Sequence, residues 1–142
     1  MKKHVLIGKL LVECGAVQQK QVEDALELQK HTEKRLGEIL VTMGYVDSPT
    51  LTKKLGDQVG IPFIELKPEI VDKELVRSFS FMLLYENDIL PLYEMGDKLH
   101  VAIGDPTNQE VVQELKKLAK KRIVLACAEP LEIKRLLVKE CY

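Results

Sequence analysis

Apolar residues in the first sixty positions recur at helical spacing. Leu6, Leu10 and Leu11 run up to Gly15 and predict a short helix with a glycine near its stop. Val22, Ala25, Leu26 and Gln29 follow at i, i+3, i+4 and i+7, the stripe of a second helix. Leu36, Ile39, Leu40 and Met43 line a third, after which Gly44 suits the left-handed residue beyond a last turn. Asp47 or Ser48 caps a fourth, with Pro49 in its first turn where no amide donor is missed. That helix carries Leu51, Leu55 and Val59 and stops near Gly60.

These four helices are one unit written twice. Ile7-Gly8 recurs as Leu36-Gly37, Gly15-Ala16-Val17 as Gly44-Tyr45-Val46, Val22 as Leu51, Leu26 as Leu55 and Gln29 as Gln58, every pair 29 positions apart. Repeated apolar positions follow from any repeated helix. Two glycines and a glutamine in the same register are harder to explain by packing alone, and two copies of one unit suit a ligand built of two equal halves.

At Ile61-Pro62 the texture changes. Phe63-Ile64-Glu65-Leu66 reads as a short strand and Asp72 to Phe79 as a helix. Ile89 to Tyr93 and Lys98 to Ile103 flank Met95-Gly96-Asp97, a hairpin signal. Thr107 with Glu110 reads as a capping box for a helix to about Lys120. Ile123 to Cys127 is a further strand, and Pro130 opens a final helix to about Val138. The expected fold is α+β: a helical subdomain of two repeated helical pairs over residues 1–60, then a small mixed α/β subdomain over 61–142.

Composition adds limits. A chain of 142 residues, 46% hydrophobic and 30% charged, is globular rather than disordered. A net charge of −1 gives no global field to attract nucleic acid or acidic membrane. One basic run, Lys116, Lys117, Lys120, Lys121 and Arg122, falls at a predicted helix end. It reads as a solvated end offsetting the helix dipole, with a phosphate-binding patch as the alternative. Cys14, Cys127 and Cys141 follow no metal-ligand spacing and read as thiols in a reducing compartment. No apolar run approaches a membrane span and no signal-peptide core follows Met1, so a cytoplasmic protein is expected.

Catalytic signals are thin. The chain has no P-loop pattern, no paired histidines at helical spacing and no Gly-x-Ser-x-Gly elbow. Gly104-Asp105-Pro106-Thr107 reads as an Asp-Pro turn into a helix. An enzyme is not expected. The repeat is the better place for function. Arg35-Leu36-Gly37 stands where a helix begins, so a guanidinium and free backbone amides converge on a spot that suits phosphate. Arg also matches the O6/N7 edge of guanine with a two-pronged bond, and Gly37 lets a ligand approach the backbone. Leu36, Leu51 and Leu55 offer a base an apolar surface, and Gln58 a donor and an acceptor. The alternative is a pair of helical hairpins packed together, with Gly15 and Gly44 as ordinary helix stops.

The unit Arg-Leu-Gly, then apolar positions, Gly, Leu, Leu and a terminal Gln resembles the tandem cyclic di-GMP-binding motif of the type II secretion and type IV pilus assembly ATPases. The stretches Val59 to Leu66, Leu90-Pro91-Leu92, Leu99 to Ala102 and Gly104 to Asn108 resemble the same proteins. The similarity runs from about Leu6 to Tyr142. It implies a non-catalytic N-terminal regulatory and docking domain that precedes the family's P-loop ATPase domain, itself absent from this sequence. Its implied partners are the cytoplasmic part of an inner-membrane platform protein and an ATPase domain of the same or another chain. Neither nucleic acid nor direct membrane insertion is implied, and the location is cytoplasmic and peripheral to the inner membrane. No cofactor is implied, and the implied ligand is cyclic di-GMP.

Carried over by position, the ligand residues are Arg35, Leu36, Gly37, Gly44, Leu51, Leu55 and Gln58 in the second copy and Gly8, Gly15, Val22, Leu26 and Gln29 in the first. Leu6 stands where the pattern has Arg, and Leu donates no hydrogen bond. One lost two-pronged Arg contact costs about 1–3 kcal/mol. The runner-up reading is a protein-interaction domain that docks on the platform protein and takes no nucleotide.

Overall fold

The structure, a computed structural model, describes residues 3–142, with side chains from Ile7 onward. The first copy of the repeat forms α1 (Lys3–Glu13) and α2 (Gln19–Gln29), and the second α3 (Leu36–Thr42) and α4 (Ser48–Val59). The repetition extends to single hydrogen bonds. After α1 the Gly15 amide donates to Val12 O at 3.1 Å and the Ala16 amide to Leu11 O at 3.0 Å. After α3 the Gly44 amide donates to Val41 O at 3.0 Å and the Tyr45 amide to Leu40 O at 3.0 Å. Gly15 and Gly44 take φ of 79° and 77°, the left-handed conformation that closes a helix and costs glycine least. Asp47 caps α4, its carboxylate accepting the Thr50 amide at 2.8 Å, with Pro49 in the first turn as expected.

Downstream come a single 3-10 turn at Pro68–Ile70, then α5 (Lys73–Arg77), α6 (Phe81–Glu86), β1 (Ile89–Met95), β2 (Lys98–Ile103), α7 (Gln109–Ala119), β3 (Arg122–Cys127) and α8 (Pro130–Leu136), which runs into a π-helical turn at Leu137–Cys141. β1 and β2 form an antiparallel hairpin, and β2 pairs in parallel with β3 across the α7 crossover. β2 is the middle strand of the sheet, and its residues from Val101 to Ile103 are buried. The fold is α+β, as the pattern predicts.

Buried residues gather in two clusters. Leu11, Val22, Ala25, Leu36, Ile39, Leu40 and Leu55 belong to the helical one. Leu84, Ile89, Leu99, Val101, Ile103, Leu115, Ile133 and Leu136 belong to the one around the sheet. The two lobes meet where α4 lies on the end of β3. There Gly56 is buried, and a Cβ on it would fall 2.5 Å from Cys127 Sγ and 2.7 Å from the Ile61 carbonyl oxygen.

Three local expectations are corrected. The strand expected at Phe63–Leu66 is a single bridge from Phe63 to Cys127, bounded by the Cys127 amide on Pro62 O and the Ile64 amide on Cys127 O. Its partner β3 ends at Cys127, so pairing runs out. The cap of α7 is Asn108, which accepts the Val111 amide, not Thr107. Thr107 is spent on Asp105, whose Oδ1 accepts both its amide at 3.0 Å and its hydroxyl. Finally α6 appears where no helix is expected. Its run Phe81-Met82-Leu83-Leu84-Tyr85 lacks the polar positions that mark a helical period, although Ser80 caps it.

Candidate functional site

Between the lobes lies a groove of about 480 Å³, within the range of small-molecule sites. The second repeat supplies one wall: Arg35 at the N-cap of α3, Gly37, Glu38 and Val41 from α3, and Ser48, Leu51, Thr52 and Leu55 from α4. Ile7 of α1 joins them. The opposite wall is Glu86 at the end of α6, Asp88 beyond it, Gly104 and Asp105 after β2, and Pro130, Leu131 and Lys134 of α8.

The wall is open at the second repeat for a packing reason. In the first copy Gly8 is covered: a Cβ there would meet Val22 Cγ1 at 2.8 Å and Leu36 Cδ2 at 3.4 Å. Gly37, its counterpart, would meet only Leu51, with Cδ2 at 3.0 Å. The second unit thus stacks on the first and closes it. No third unit closes the second, whose outer face is left to the groove.

Of the residues singled out from sequence, Arg35, Gly37, Leu51 and Leu55 come together here. Leu36 turns away into the helical core, 1% exposed. Gly44 and Gln58 are exposed and line no part of the groove. In the first copy Val22 is in the core, Leu26 packs against it, Gly8 is buried and Gly15 is an exposed helix stop. Gln29 donates to the Lys34 carbonyl at 3.2 Å and so fixes the link between the repeats. The side chain of Leu6 lies outside the described residues.

The polar centre of the groove is a residue that sequence reasoning missed. Asp88 has a side chain only 9% exposed and a φ of 52°, unusual outside glycine. Its Oδ2 accepts from Arg35 Nη1 at 3.5 Å, and its Oδ1 accepts from Lys134 Nζ. Arg35 Nη2 donates to the Glu86 carbonyl at 2.7 Å. Lys134 Nζ also donates to the Tyr85 carbonyl at 2.6 Å and stands 4.4 Å from the centre of the Tyr85 ring. Asp88 precedes a strand and Lys134 sits mid-helix, so no pattern marks either; only the fold unites them.

A second depression, about 540 Å³ but shallow, is lined by Asp97, Lys116, Lys120, Lys121, Arg122 and Ile123 at the end of α7. Lys121 is paired there with Glu94. The patch is a helix end with solvated cations, and the apolar walls of the groove make the better site. Among the described residues no cluster of His, Cys, Asp and Glu has the make-up of a metal site. Among the described residues no helix is long and apolar enough to cross a membrane.

Comparison with known proteins agrees with this architecture. The chain is 30% identical over 128 residues to the type IV pilus assembly ATPase PilB of Myxococcus xanthus, which covers 90% of this chain and 23% of that protein. It is 29% identical over 119 residues to PilB of Thermus thermophilus, covering 80% of this chain and 13% of that one. The chain thus spans less than a quarter of the relatives it matches. Among solved structures, MshE with cdg (cyclic di-GMP) superposes with a TM-score of 0.78 at 28% identity, over 96% of this chain and 98% of that one. The N-terminal domain of XpsE shares the fold, with a TM-score of 0.76 at 16% identity. The MshEN domain family matches residues 59–139, more than half of the sequence, and this chain belongs to it.

Proposed function

We propose that this chain is the non-catalytic N-terminal regulatory and docking module of a type IV pilus or type II secretion assembly ATPase, and that it takes cyclic di-GMP on the outer face of its second repeat. The observation that carries the reading is the convergence of Arg35, Gly37, Leu51 and Leu55 on one groove, in a fold shared with a protein solved with that ligand. A guanidinium serves phosphate or the guanine edge, Gly37 admits close approach, and the two leucines give a base an apolar bed. A ligand in the groove touches α3 and α4 on one side and residues 86–88, 104–105 and 130–134 on the other. It therefore reads the relative position of the lobes, which is how a small molecule would reach a downstream ATPase domain or an inner-membrane platform protein.

The competing reading is a protein-docking domain without a nucleotide. It draws support from Gln29 and Gln58, which stand away from the groove. Calorimetric titration with cyclic di-GMP separates the two. The wild type is expected to bind in the micromolar range, and Arg35→Ala about 5- to 150-fold more weakly, the worth of one two-pronged arginine. Silence from both proteins leaves the docking reading standing.

A further inference from the structure

Asp88 is the one buried acid among the described residues, and it bridges the two lobes through cations from each. A buried carboxylate persists only where opposite charge and hydrogen bonds compensate its lost hydration. Here the compensation is loose on the side of Arg35: one contact of 3.5 Å, with the second prong of the guanidinium given to a carbonyl oxygen instead. Both cations are held independently of Asp88, Arg35 by Glu86 O and Lys134 by Tyr85 O and the Tyr85 ring. They keep their places if the carboxylate leaves. A guanidinium beside an ammonium, already positioned in a groove, is the donor set that suits a phosphate.

We propose that Arg35 and Lys134 form a phosphate-binding site, and that the protein fills this site itself with the Asp88 carboxylate. The inference deepens the nucleotide reading, on which it rests only for the identity of the molecule that carries the phosphate. Charge favours the exchange only in part. Glu38, Glu86 and Asp105 also line the groove, so its acids outnumber the two cations four to two with Asp88 in place and three to two once it has left. A phosphodiester can gain from Arg35 and Lys134 only where Asp88 gives way, and giving way removes one of the ties between the lobes while Arg35 keeps its bond to the Glu86 carbonyl. Self-occupancy lowers apparent affinity by the fraction of molecules with the site free: if Asp88 holds it nine times in ten, the loss is about tenfold.

Asp88→Asn keeps the size of the side chain, tolerates the positive φ as Asp does, and removes the charge. In calorimetry on the whole chain, Asp88→Asn is expected to bind cyclic di-GMP about tenfold tighter than the wild type. Measurable binding by the wild type that Asp88→Asn only equals or weakens overturns the proposal. A second arm uses inorganic pyrophosphate and follows the Arg35 Nε–Hε signal by NMR. A saturable shift is expected in Asp88→Asn at about one-tenth of the concentration that moves the wild type, and it should vanish when Lys134→Gln is added. No such shift overturns the site whatever cyclic di-GMP does. A shift with pyrophosphate and silence with cyclic di-GMP keeps the site and removes the nucleotide reading. Asp88→Gly, which suits φ 52° without a side chain, must behave as Asp88→Asn does. A match tells lost charge from damaged packing, and a mismatch overturns the proposal.

Discussion

Gly8 and Gly37 occupy one position of the repeat and do different work. A Cβ on Gly8 presses Val22, a buried β-branched side chain with no rotamer to spare. A Cβ on Gly37 presses only the end of Leu51, which borders open space. Gly8→Ala is therefore expected to lose stability by about 1–2 kcal/mol, overpacking outweighing the gain in helix propensity. Gly37→Ala should be neutral within about 0.5 kcal/mol and yet narrow the groove. Chemical denaturation of the two variants side by side checks this, and equal losses would contradict the asymmetry of the repeats. Gly56→Ala is more severe, because its Cβ meets a backbone carbonyl that has nowhere to move; a loss of about 1–3 kcal/mol is expected. In the sequence all three residues are merely glycines. The repeat points to Gly8 and Gly37, but what each one faces is a tertiary fact.

At the scale of elements, the helices of the repeat were legible because their apolar stripes, glycine stops and the Asp47 cap act locally, within a turn or two. The hairpin and β3 were legible for the same reason, from alternation and a Gly-Asp turn. The bridge at Phe63 and helix α6 were not, because one depends on where β3 ends and the other is apolar on all sides. The cap of α4 yields a pH prediction. The Thr50 amide donates to the Asp47 carboxylate and holds its pKa below the ordinary value. A carboxyl lowered in the folded state adds stability above its unfolded pKa, and this is lost as pH falls through the folded value. The wild type should thus exceed Asp47→Asn in melting temperature at pH 7, with the gap closing below about pH 4. Asn caps a helix as well as Asp does, so the comparison isolates the charge. A gap that widens in acid would refute it.

At the scale of the molecule, half of the groove was legible and half was not. Arg35, Gly37, Leu51 and Leu55 stand in a repeat that could be read along the chain. Asp88 and Lys134 reach them across 53 and 99 residues of sequence, through the packing of one lobe on the other. That junction contains Cys127, whose Sγ lies 3.7 Å from both the Thr52 and Ile61 carbonyl oxygens. Burial pushes its thiol pKa up, so both access and thiolate content are low while the lobes stay together. Iodoacetamide should label the half-buried Cys14 first and Cys127 only as fast as the junction opens. Peptide mass mapping over time reads both, and comparable rates would mean that the junction is not closed in solution. The protein thus carries its own clock for lobe separation: Asp88→Asn, by removing one tie between the lobes, should make it run faster, and a ligand that spans the groove should slow it again.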